Sequence, residues 1–398
     1  MNLVYQNFDS IYPTEYPNSL VQLRGTSMQK SILATLCLIA GLAACGGSDS
    51  DLLAQNLPFT VTEVAQFDEP WAMTFLPNGD LLVTERRGSL QHWSAAGGKR
   101  GISGTPEVSY GGQGGFGDVV LHPDFERNKY VYLSYAEAGS GGTSGAAVAR
   151  AQLDLEAGSL GELEIIWRQV PKVSGQGHYG HRIAFGPDGF LWISSGERQK
   201  FDPAQDMTAN LGKIVRLNDD GSSPADNPFT DGNEIAAQVW SLGHRNPLGL
   251  AFDRAGQLWN VEMGPRGGDE LNRVERAANY GYPIVSNGNH YNGRNIPDHD
   301  TRPEFNAPAV SWNPVISPSS LMFYAGSEFP QWRGNAFVGG LSSQTLVRVE
   351  FNGNNASEAQ RFPMGQRIRS VVQGPDGAIW LLEDQRGRSG GRLLRLSR

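Results

Sequence analysis

The chain has 398 residues, of which 19% are charged and 39% hydrophobic, and its formal net charge is −8 at pH 7. Phosphate binding needs a basic face, so this balance argues against a nucleic-acid partner, and the hydrophobic content excludes global disorder. The 50 glycines and 23 prolines favour many short strands joined by tight turns. Both cysteines, Cys37 and Cys45, lie near the N-terminus, so the rest of the chain has neither a disulfide nor thiol chemistry.

The first predicted element is an export leader. Residues 28–45, MQKSILATLCLIAGLAAC, begin with a positive charge at Lys30 and continue with an apolar stretch that is too short for a transmembrane helix. They end in small residues before Cys45. This pattern resembles the bacterial lipobox, in which cleavage leaves the cysteine as the lipidated first residue. The alternative is an ordinary signal peptide in which the cysteine occurs by chance.

These features divide the chain into four expected parts. Residues 1–27 are either an extension upstream of a true start at Met28 or a disordered segment. Residues 28–44 are a lipoprotein signal peptide, residues 45–57 a flexible tether and residues 58–398 a folded domain. The residue after Cys45 is glycine, which by the bacterial sorting tendency favours the outer membrane. The protein is therefore expected to be exported to the periplasmic side, where a lipid anchor attaches it to the membrane.

A short phrase recurs six times along the body: an aromatic or apolar residue, a turn of Pro and Asn/Asp-Gly type, and alternating apolar residues. The copies are FLPNGDLLVTE (75–85), LHPDFERNKYVYLSY (121–135), FGPDGFLWISSGE (185–197), FDRAGQLWNVEMG (252–264), FPQWRGNAFVGGL (329–341) and QGPDGAIWLLED (373–384). Each copy predicts a turn followed by a strand of period two. Together they predict an all-β fold, a six-bladed β-propeller of four-stranded antiparallel blades with some long loops. A pair of β-sandwiches with coincidental turns is the alternative.

The loops at one mouth of a propeller build its site, and two clusters between the repeats carry candidate residues for proton transfer and ligand binding. The first is a glycine-rich loop that holds His178 and His181. An imidazole is the usual proton acceptor at neutral pH, and the residues alone do not choose between the two. The second cluster places the guanidinium of Arg245 beside the amide of Asn246, which suits the carboxylates and carbonyls of a flat ligand.

Three further clusters complete the candidate site. The segments GPRGGDE (264–270) and NYGYP (279–283) are rich in the carboxylate and carbonyl oxygens that calcium prefers. Arg367 and Arg369 point to the same face of a predicted strand and repel each other unless an anion lies between them. Gln113 stands in a glycine-rich loop that permits close approach of a ligand. Each of these patterns also occurs in plain polar loops.

Taken together, the clusters resemble the soluble glucose/sorbosone dehydrogenase family that depends on pyrroloquinoline quinone (PQQ), and especially its aldose sugar dehydrogenase branch. The likeness covers roughly residues 58–396. It rests on six phrases in the same order, namely PWAMTFLPNG (70–79), GGQGGFGDVVLHPDF (111–125), SLGHRNPLGLAFD (241–253), GPRGGDELN (264–272), NYGYP (279–283) and QRIRSV (366–371). The resemblance implies an enzyme that oxidises aldose sugars at the C1 hydroxyl to the lactone. It would pass a hydride to calcium-bound PQQ and electrons to an external acceptor, a cytochrome or a quinone.

The resemblance also implies roles for single residues. His178 matches the general base that takes the proton of the anomeric hydroxyl, whereas His181 does not. Arg245 matches the arginine that stabilises charge developing on the quinone. The residues that match PQQ contacts are Gln113, Asn246, Tyr291, Arg367 and Arg369. The residues that match calcium ligands are Gly264 and Pro265, through their backbone carbonyls, and Glu270 and Tyr280 at a second calcium site.

The chain departs from the family at two positions. Ser342 stands where many relatives have a lysine that meets a PQQ carboxylate, and a hydroxyl cannot replace a charge, so weaker PQQ binding is expected. His181 stands where relatives have a small residue, and we expect it to narrow the site.

Two other functions remain open from the sequence. A calcium-dependent lactone hydrolase of six-bladed propeller type needs carboxylates from several blades on one channel metal, and Glu85, Glu197 and Glu262 near strand ends are the candidates. A non-catalytic propeller that binds a sugar or a protein is the other alternative, and it is favoured by the serine at position 342.

Overall fold

The structure is a computed structural model that describes residues 57–387 and 389–398. The predicted upstream extension, the signal peptide and the lipidation site Cys45 lie outside the described residues, as does the tether up to residue 56. Within the described part of the chain, no helix is long and apolar enough to cross a membrane.

Six antiparallel sheets follow one another along the chain, and in five of them all the strands are consecutive in the sequence. Blades 1 and 2 contain β2 (Pro70–Phe75), β3 (Leu81–Glu85), β4 (Ser89–Ser94) and β5 (Gly98–Ile102), then β6 (Phe116–Leu121), β7 (Tyr130–Ala138), β8 (Ser144–Asp154), β9 (Ser159–Leu160) and β10 (Glu164–Arg168). Blades 3 and 4 contain β11 (Gly180–Phe185), β12 (Leu191–Ser195), β13 (Lys213–Leu217) and β14 (Val239–Leu242), then β15 (Pro247–Phe252), β16 (Leu258–Glu262), β17 (Asp269–Arg273) and β18 (Val310–Trp312). Blades 5 and 6 contain β19 (Pro318–Phe323), β20 (Ala336–Gly340), β21 (Thr345–Asn352) and β22 (Asn355–Pro363), then β23 (Ile368–Gln373), β24 (Ile379–Glu383), β25 (Arg392–Ser397) and the N-terminal strand β1 (Thr60–Gln66).

The sixth blade takes its outermost strand from the other end of the chain. Strand β1 pairs with β25 in antiparallel register, with Thr60 opposite Ser397 and Gln66 opposite Arg392. The innermost strands of neighbouring blades contact one another in a closed ring from β2 through β23 and back to β2. The expected six-bladed propeller is therefore confirmed, and closure between the two ends of the folded domain leaves no open edge between blades 6 and 1.

Helical structure is almost absent from the described residues, in agreement with the predicted all-β fold. The described residues contain one α-helical turn, α1 (Phe125–Asn128), and short 3₁₀ turns at Ser140–Gly142, Asp202–Ala204, Ala236–Gln238, His299–Thr301 and Pro330–Trp332.

All six copies of the recurring phrase form the turn between the first and second strand of a blade. The chemistry of the phrase explains the geometry. In the third and sixth copies, Gly189 and Gly377 have φ values of +83° and +80°, a region that favours glycine. In the sixth copy the turn aspartate, Asp376, accepts a hydrogen bond from the indole of Trp380 on the next strand at 3.3 Å. These turns lie at the C-terminal ends of the innermost strands, so the opposite mouth is built by the loops that precede those strands.

Hydrophobic clusters fill the spaces between blades, one cluster for each pair of neighbours among the described residues. The centre of the ring is instead polar and is joined by Arg182 of β11, which is buried. Its guanidinium contacts residues of the five other innermost strands, namely the ring of Trp71 at 4.0 Å, Asp118 at 3.3 Å, and the carbonyls of Leu248 (2.7 Å), Ser319 (2.7 Å) and Arg369 (3.4 Å). Arg182 thus links all six blades. It also lies next to the candidate site, since His181 precedes it in the chain.

Candidate active site

A cavity of about 200 Å³ opens at the mouth where the innermost strands begin. Residues from all six blades or their loops line it, including Trp71, Arg86, Gln113, Tyr179, His181, Leu248, Met263, Ser317, Leu341, Arg367, Arg369 and Arg386. The structure therefore brings together at this cavity four residues that the sequence nominated. They are Gln113, His181, Arg367 and Arg369. The other nominated residues are not among those that line it.

His178 is a neutral base that a buried carboxylate orients. Its Nδ1 lies 2.5 Å from Oε1 of Glu197, whose side chain is fully buried. Burial, followed by the positive charge of Arg245, lowers the pKa of His178 to about 4 in spite of the opposing effect of Glu197. The pKa of Glu197 is also lowered: burial, the largest influence, raises it, but the hydrogen bond with His178 and further favourable contacts outweigh burial. An ionised Glu197 accepts the Nδ1 proton, so Nε2 of His178 carries a free lone pair.

The backbone around His178 is fixed as well. His178 has φ +49°, and its N–H donates to Oε1 of Gln113 at 2.9 Å. The second oxygen of Glu197 accepts the N–H of Phe201 at 2.7 Å. Because the carbonyl of the Gln113 amide is engaged by His178, its NH₂ group faces the cavity as a donor.

Arg245 lies beside this pair and is buried, with 5% of its surface exposed. Its Nη1 donates to the carbonyls of Met263 and Gly264 at 2.9 and 2.6 Å, and its backbone carbonyl accepts the N–H of Glu197 at 2.9 Å. Its Nε is buried without a hydrogen-bond partner among the described residues. Arg245 is thus a fixed cation with one donor still available near the base.

Asn246 is placed differently from the other nominated ligand contacts. It is fully buried, and its Oδ1 accepts the N–H of Gly180 at 3.2 Å. Gly180 lines the cavity, whereas Asn246 is not among the lining residues. In this structure Asn246 supports the wall of the cavity from behind.

The arginines at 367 and 369 both turn toward the cavity, as their spacing predicted. Nε of Arg367 donates to both oxygens of Asp384 at 3.0 Å, and Arg369 donates to the same carboxylate at 3.1 Å. Burial, and then the neighbouring arginines 367 and 182, hold the pKa of Arg369 down to about 10, although Asp384 opposes this shift. Nε of Arg369 is buried without a partner among the described residues. One carboxylate shared by two guanidiniums leaves positive charge over for an anionic ligand.

Two nominated residues lie at the rim, and a third lies inside the cavity. Tyr291 is 71% exposed, and its ring lies 5.9 Å from the guanidinium carbon of Arg245. The hydroxyl of Ser342 is 2.7 Å from that of Ser317, a lining residue, and brings no charge. His181 is 2% exposed and stacks on Trp71 with a ring separation of 4.9 Å. It lines the cavity, and burial, with Arg182 next, lowers its pKa to about 3.

Three of the four nominated calcium ligands, Gly264, Glu270 and Tyr280, line a second, smaller pocket behind Arg245. Glu262 lines it as well, whereas Pro265 does not. Burial is the main cause that raises the pKa of Glu270, and the nearby Glu262 raises it further. The hydroxyl of Tyr280 donates to the carbonyl of Arg273, so only its backbone carbonyl is available for a metal.

Two buried amide oxygens lie near this pocket, although neither asparagine lines it. Oδ1 of Asn260 and Oδ1 of Asn272 are buried without hydrogen-bond partners among the described residues. The amide of Asn272 bridges the carboxylates of Glu262 and Glu270 at 3.0 and 3.1 Å, so these oxygens lie near two acidic groups. Carboxylate, amide and carbonyl oxygens are the ligands that calcium takes. At the other nominated pair, the Gly264 carbonyl already accepts a hydrogen bond from Arg245.

The carboxylates that a hydrolase would need are not brought together. Glu85 accepts the N–H of Asp68 and the amide of Gln91, at 2.9 Å each, while Glu197 holds His178. Glu262 accepts from His244. Among the described residues, no three His, Cys, Asp or Glu side chains are grouped so that they could hold a metal ion. Within residues 57–387 and 389–398, these three carboxylates therefore do not form the shared metal site that this alternative requires.

Sequence reasoning missed two features of the site. Glu197 was considered only as a metal ligand for the hydrolase, whereas it is the partner of His178. The end of the strand phrase, FLWISSGE, places a carboxylate just past β12, and this was the available signal. Arg86 and Arg386 also line the cavity, and neither belongs to a motif that pointed there.

Comparisons with known proteins agree with this geometry. A family model described as "Glucose / Sorbosone dehydrogenase" matches residues 67–395. Aldose sugar dehydrogenase YliI of Escherichia coli (strain K12) is 40% identical over 352 residues, which cover 85% of this chain and 94% of that protein.

Solved structures show the same fold over most of the chain. The apo form of the soluble aldose sugar dehydrogenase from Escherichia coli superposes with a TM-score of 0.80 at 38% identity, covering 85% of this chain and 99% of that one. The PQQ-bound form of the aldose sugar dehydrogenase from Streptomyces coelicolor superposes with a TM-score of 0.72 at 30% identity, covering 85% and 98%.

Proposed function

Because the chain belongs to the glucose/sorbosone dehydrogenase family, we propose that it oxidises aldose sugars at the C1 hydroxyl to the lactone, with PQQ and calcium as cofactors. The observation that carries this proposal is the His178–Glu197 pair beside a cavity rich in guanidinium groups. The pair supplies a proton acceptor, and the guanidiniums suit a cofactor that bears several carboxylates.

His178 takes the proton of the anomeric hydroxyl through Nε2. Glu197 fixes the tautomer and the orientation of the imidazole, and it stabilises the imidazolium that forms. Bound PQQ would supply the two-electron acceptor for the C1 hydride, and calcium would polarise it. Arg245 is a fixed cation whose free Nε stabilises negative charge that develops next to the base.

The anionic cofactor fits the cavity on charge. Arg367 and Arg369 share one carboxylate, and a buried donor of Arg369 has no partner among the described residues. The NH₂ group of Gln113 and the exposed ring of Tyr291 stand ready to contact the same ligand. Glu270 and the Tyr280 carbonyl would hold a second calcium in the pocket that they line with Glu262, where the two carboxylates offer oxygen ligands. The carbonyls of Gly264 and Pro265 would hold the calcium that polarises PQQ, the Gly264 oxygen through its second lone pair, since it already accepts a hydrogen bond from Arg245.

The proposal includes where the enzyme works. The leader at 28–44 and Cys45 support export and lipid anchoring at the periplasmic side of the outer membrane, and an external cytochrome or quinone would take the electrons. Mass spectrometry of the mature N-terminus tests this proposal. A diacylglyceryl group on Cys45 is expected, and an unmodified N-terminus elsewhere would contradict it.

Reconstitution tests the activity. Purified residues 46–398 are titrated with PQQ in the presence of calcium, and a panel of aldoses is then added with an artificial electron-accepting dye. We expect saturable PQQ binding, sugar-dependent dye reduction and loss of both on removal of calcium by a chelator. Absence of PQQ binding together with hydrolysis of lactones in calcium alone would overturn the proposal in favour of the hydrolase.

A further inference from the structure

Two of the four arginines that line the cavity have no role in the proposed function. Arg86 follows β3 in blade 1, and Arg386 lies in the loop between β24 and β25 in blade 6. They approach the cavity from neighbouring blades. Arg86 is largely buried, whereas Arg386 is exposed at the rim.

The two guanidiniums converge on one oxygen atom. Nη2 of Arg86 donates to the carbonyl of Gly112 at 2.8 Å, and Nη2 of Arg386 donates to the same carbonyl at 2.7 Å. The two nitrogens therefore cannot lie farther apart than the sum of these distances. Burial lowers the pKa of Arg86, and the charge of Arg386 is the next cause. The pair is thus a site of like-charge repulsion at the edge of the cavity.

Nearby carboxylates do not neutralise this pair. Glu69 lies 3.4 Å from Arg86 but also 3.3 Å from Arg87. Asp384 is paired with the arginines of 367–369, and it accepts from Arg386 only through the backbone N–H, at 3.0 Å. Within the described residues Arg386 makes no ion pair. A carbonyl oxygen offers hydrogen bonds but no charge, so the positive charge of this corner is left uncompensated.

We propose that Arg386 and Arg86 form a second anion-binding corner of the cavity, which binds a carboxylate of PQQ; this inference rests on the proposed function. Nη2 of Arg86 donates to the carbonyls of Gly112 and Gly114, and its Nη1 contacts Glu69, so Arg86 contributes mainly charge. Arg386 uses Nη2 for Gly112 and keeps its other donors for a carboxylate. Gly112 precedes Gln113, so the corner also adjoins a residue that reaches both the cavity and His178. The corner adds positive charge to the cavity, whereas the hydroxyl of Ser342 adds none.

Two substitutions separate the effect of the Arg386 charge from the effect of its hydrogen bond to the Gly112 carbonyl. Arg386→Gln keeps a donor for the Gly112 carbonyl and removes the charge, whereas Arg386→Lys keeps the charge. The control is Arg395→Gln, which removes an arginine of the same blade that pairs with Asp376 at 2.7 Å in a turn at the other mouth. The dissociation constant of PQQ is measured in calcium-containing buffer by quenching of intrinsic fluorescence, at low and high salt. Thermal unfolding of each apo-protein verifies that the variants fold.

We expect Arg386→Gln to raise the dissociation constant at least about tenfold, Arg386→Lys to raise it less than Arg386→Gln does because the charge is kept and only the fork is lost, and the control to leave it unchanged. The difference should shrink at high salt, since an exposed charge is screened. Equal affinity of Arg386→Gln and wild type would overturn the inference alone, as would an unchanged PQQ affinity with a raised KM for an acidic sugar. If the wild type binds no PQQ, the proposed function falls, and this inference falls with it.

Discussion

Replacing Glu197 by glutamine tests the role of the buried carboxylate most sharply. The amide has one acceptor and one donor where the carboxylate accepts twice, from Nδ1 of His178 and from the N–H of Phe201. If the amide oxygen faces Phe201, its NH₂ group donates to Nδ1 and forces the proton onto Nε2, which removes the lone pair that takes the substrate proton. If the oxygen faces His178, a buried donor opposes another donor. Both arrangements impair the base.

The expected loss can be bounded from the structure. Hydrogen bonds to a charged group contribute about 1.5–3 kcal/mol, and about 1.4 kcal/mol corresponds to tenfold in rate. Since Glu197 is fully buried and its contact with His178 measures 2.5 Å, we expect kcat to fall about 10- to 150-fold, with KM little changed. Glu197 also opposes the lowering of the His178 pKa, so the acid limb of the pH profile should move to lower pH in the variant.

The assay is steady-state dye reduction with a saturating aldose, repeated between pH 3.5 and 8, on PQQ-loaded protein. Glu358→Gln is the matched control, because Glu358 likewise accepts from two donors, Trp312 and Arg361, on the outer part of blade 5. A kcat within about threefold of wild type and an unmoved acid limb would show that Glu197 does not position the base.

Three further predictions concern the base and the centre of the ring. Because the pKa of His178 is lowered to about 4, the neutral imidazole persists above that value, so kcat/KM should fall as pH drops through about 4 rather than through the ordinary value of histidine. Arg182→Met should lower the free energy of urea unfolding by about 3–5 kcal/mol, since it leaves the buried carboxylate of Asp118 unpaired. Gly117→Ala should reduce thermal stability and perturb the near-UV signal of the stacked rings, because a Cβ there would lie 2.0 Å from the ring of His181.

Each prediction has its own control. For the pH profile, wild-type protein must remain folded at pH 4 by far-ultraviolet circular dichroism, and an acid limb near pH 6.5 would contradict the neutral buried imidazole. Arg127→Ala removes an exposed arginine that pairs with Asp124 and should change the unfolding free energy by less than about 1 kcal/mol. Gly101→Ala places a Cβ in open space and should leave stability nearly unchanged, so equal effects of the two alanines would refute the steric argument.

The fold was predictable because the recurring phrase carries its own turn chemistry. Proline and Asp-Gly set the turn, and the residues after it alternate, so each copy specifies a hairpin without reference to the rest of the chain. Strand β1 was not predicted as the last strand of the sixth blade. Its partner β25 is more than three hundred residues away, and the largely exposed strand β1 carries no copy of the phrase that would identify its partner.

The site was predictable only where a residue's type was itself unusual. A pair of arginines on one face, and histidines in a glycine-rich loop, pointed to chemistry from local pattern alone. The partnership of Glu197 with His178, and of Arg386 with Arg86, depends on loops from different strands or blades that meet only in the folded ring. The weaker PQQ binding expected from Ser342 stays a prediction, and the arginine corner gives a physical reason to expect compensation.

The central claim is that His178 is the proton acceptor at a PQQ site. The most direct test measures binding and turnover separately. PQQ affinity and single-turnover dye reduction with an aldose are both measured for wild type and for His178→Gln. We expect the variant to bind PQQ within about threefold of wild type and to lose at least about a hundredfold in turnover rate. A hundredfold is about the smallest contribution that a general base makes to a rate. Equal turnover in the two proteins would contradict it.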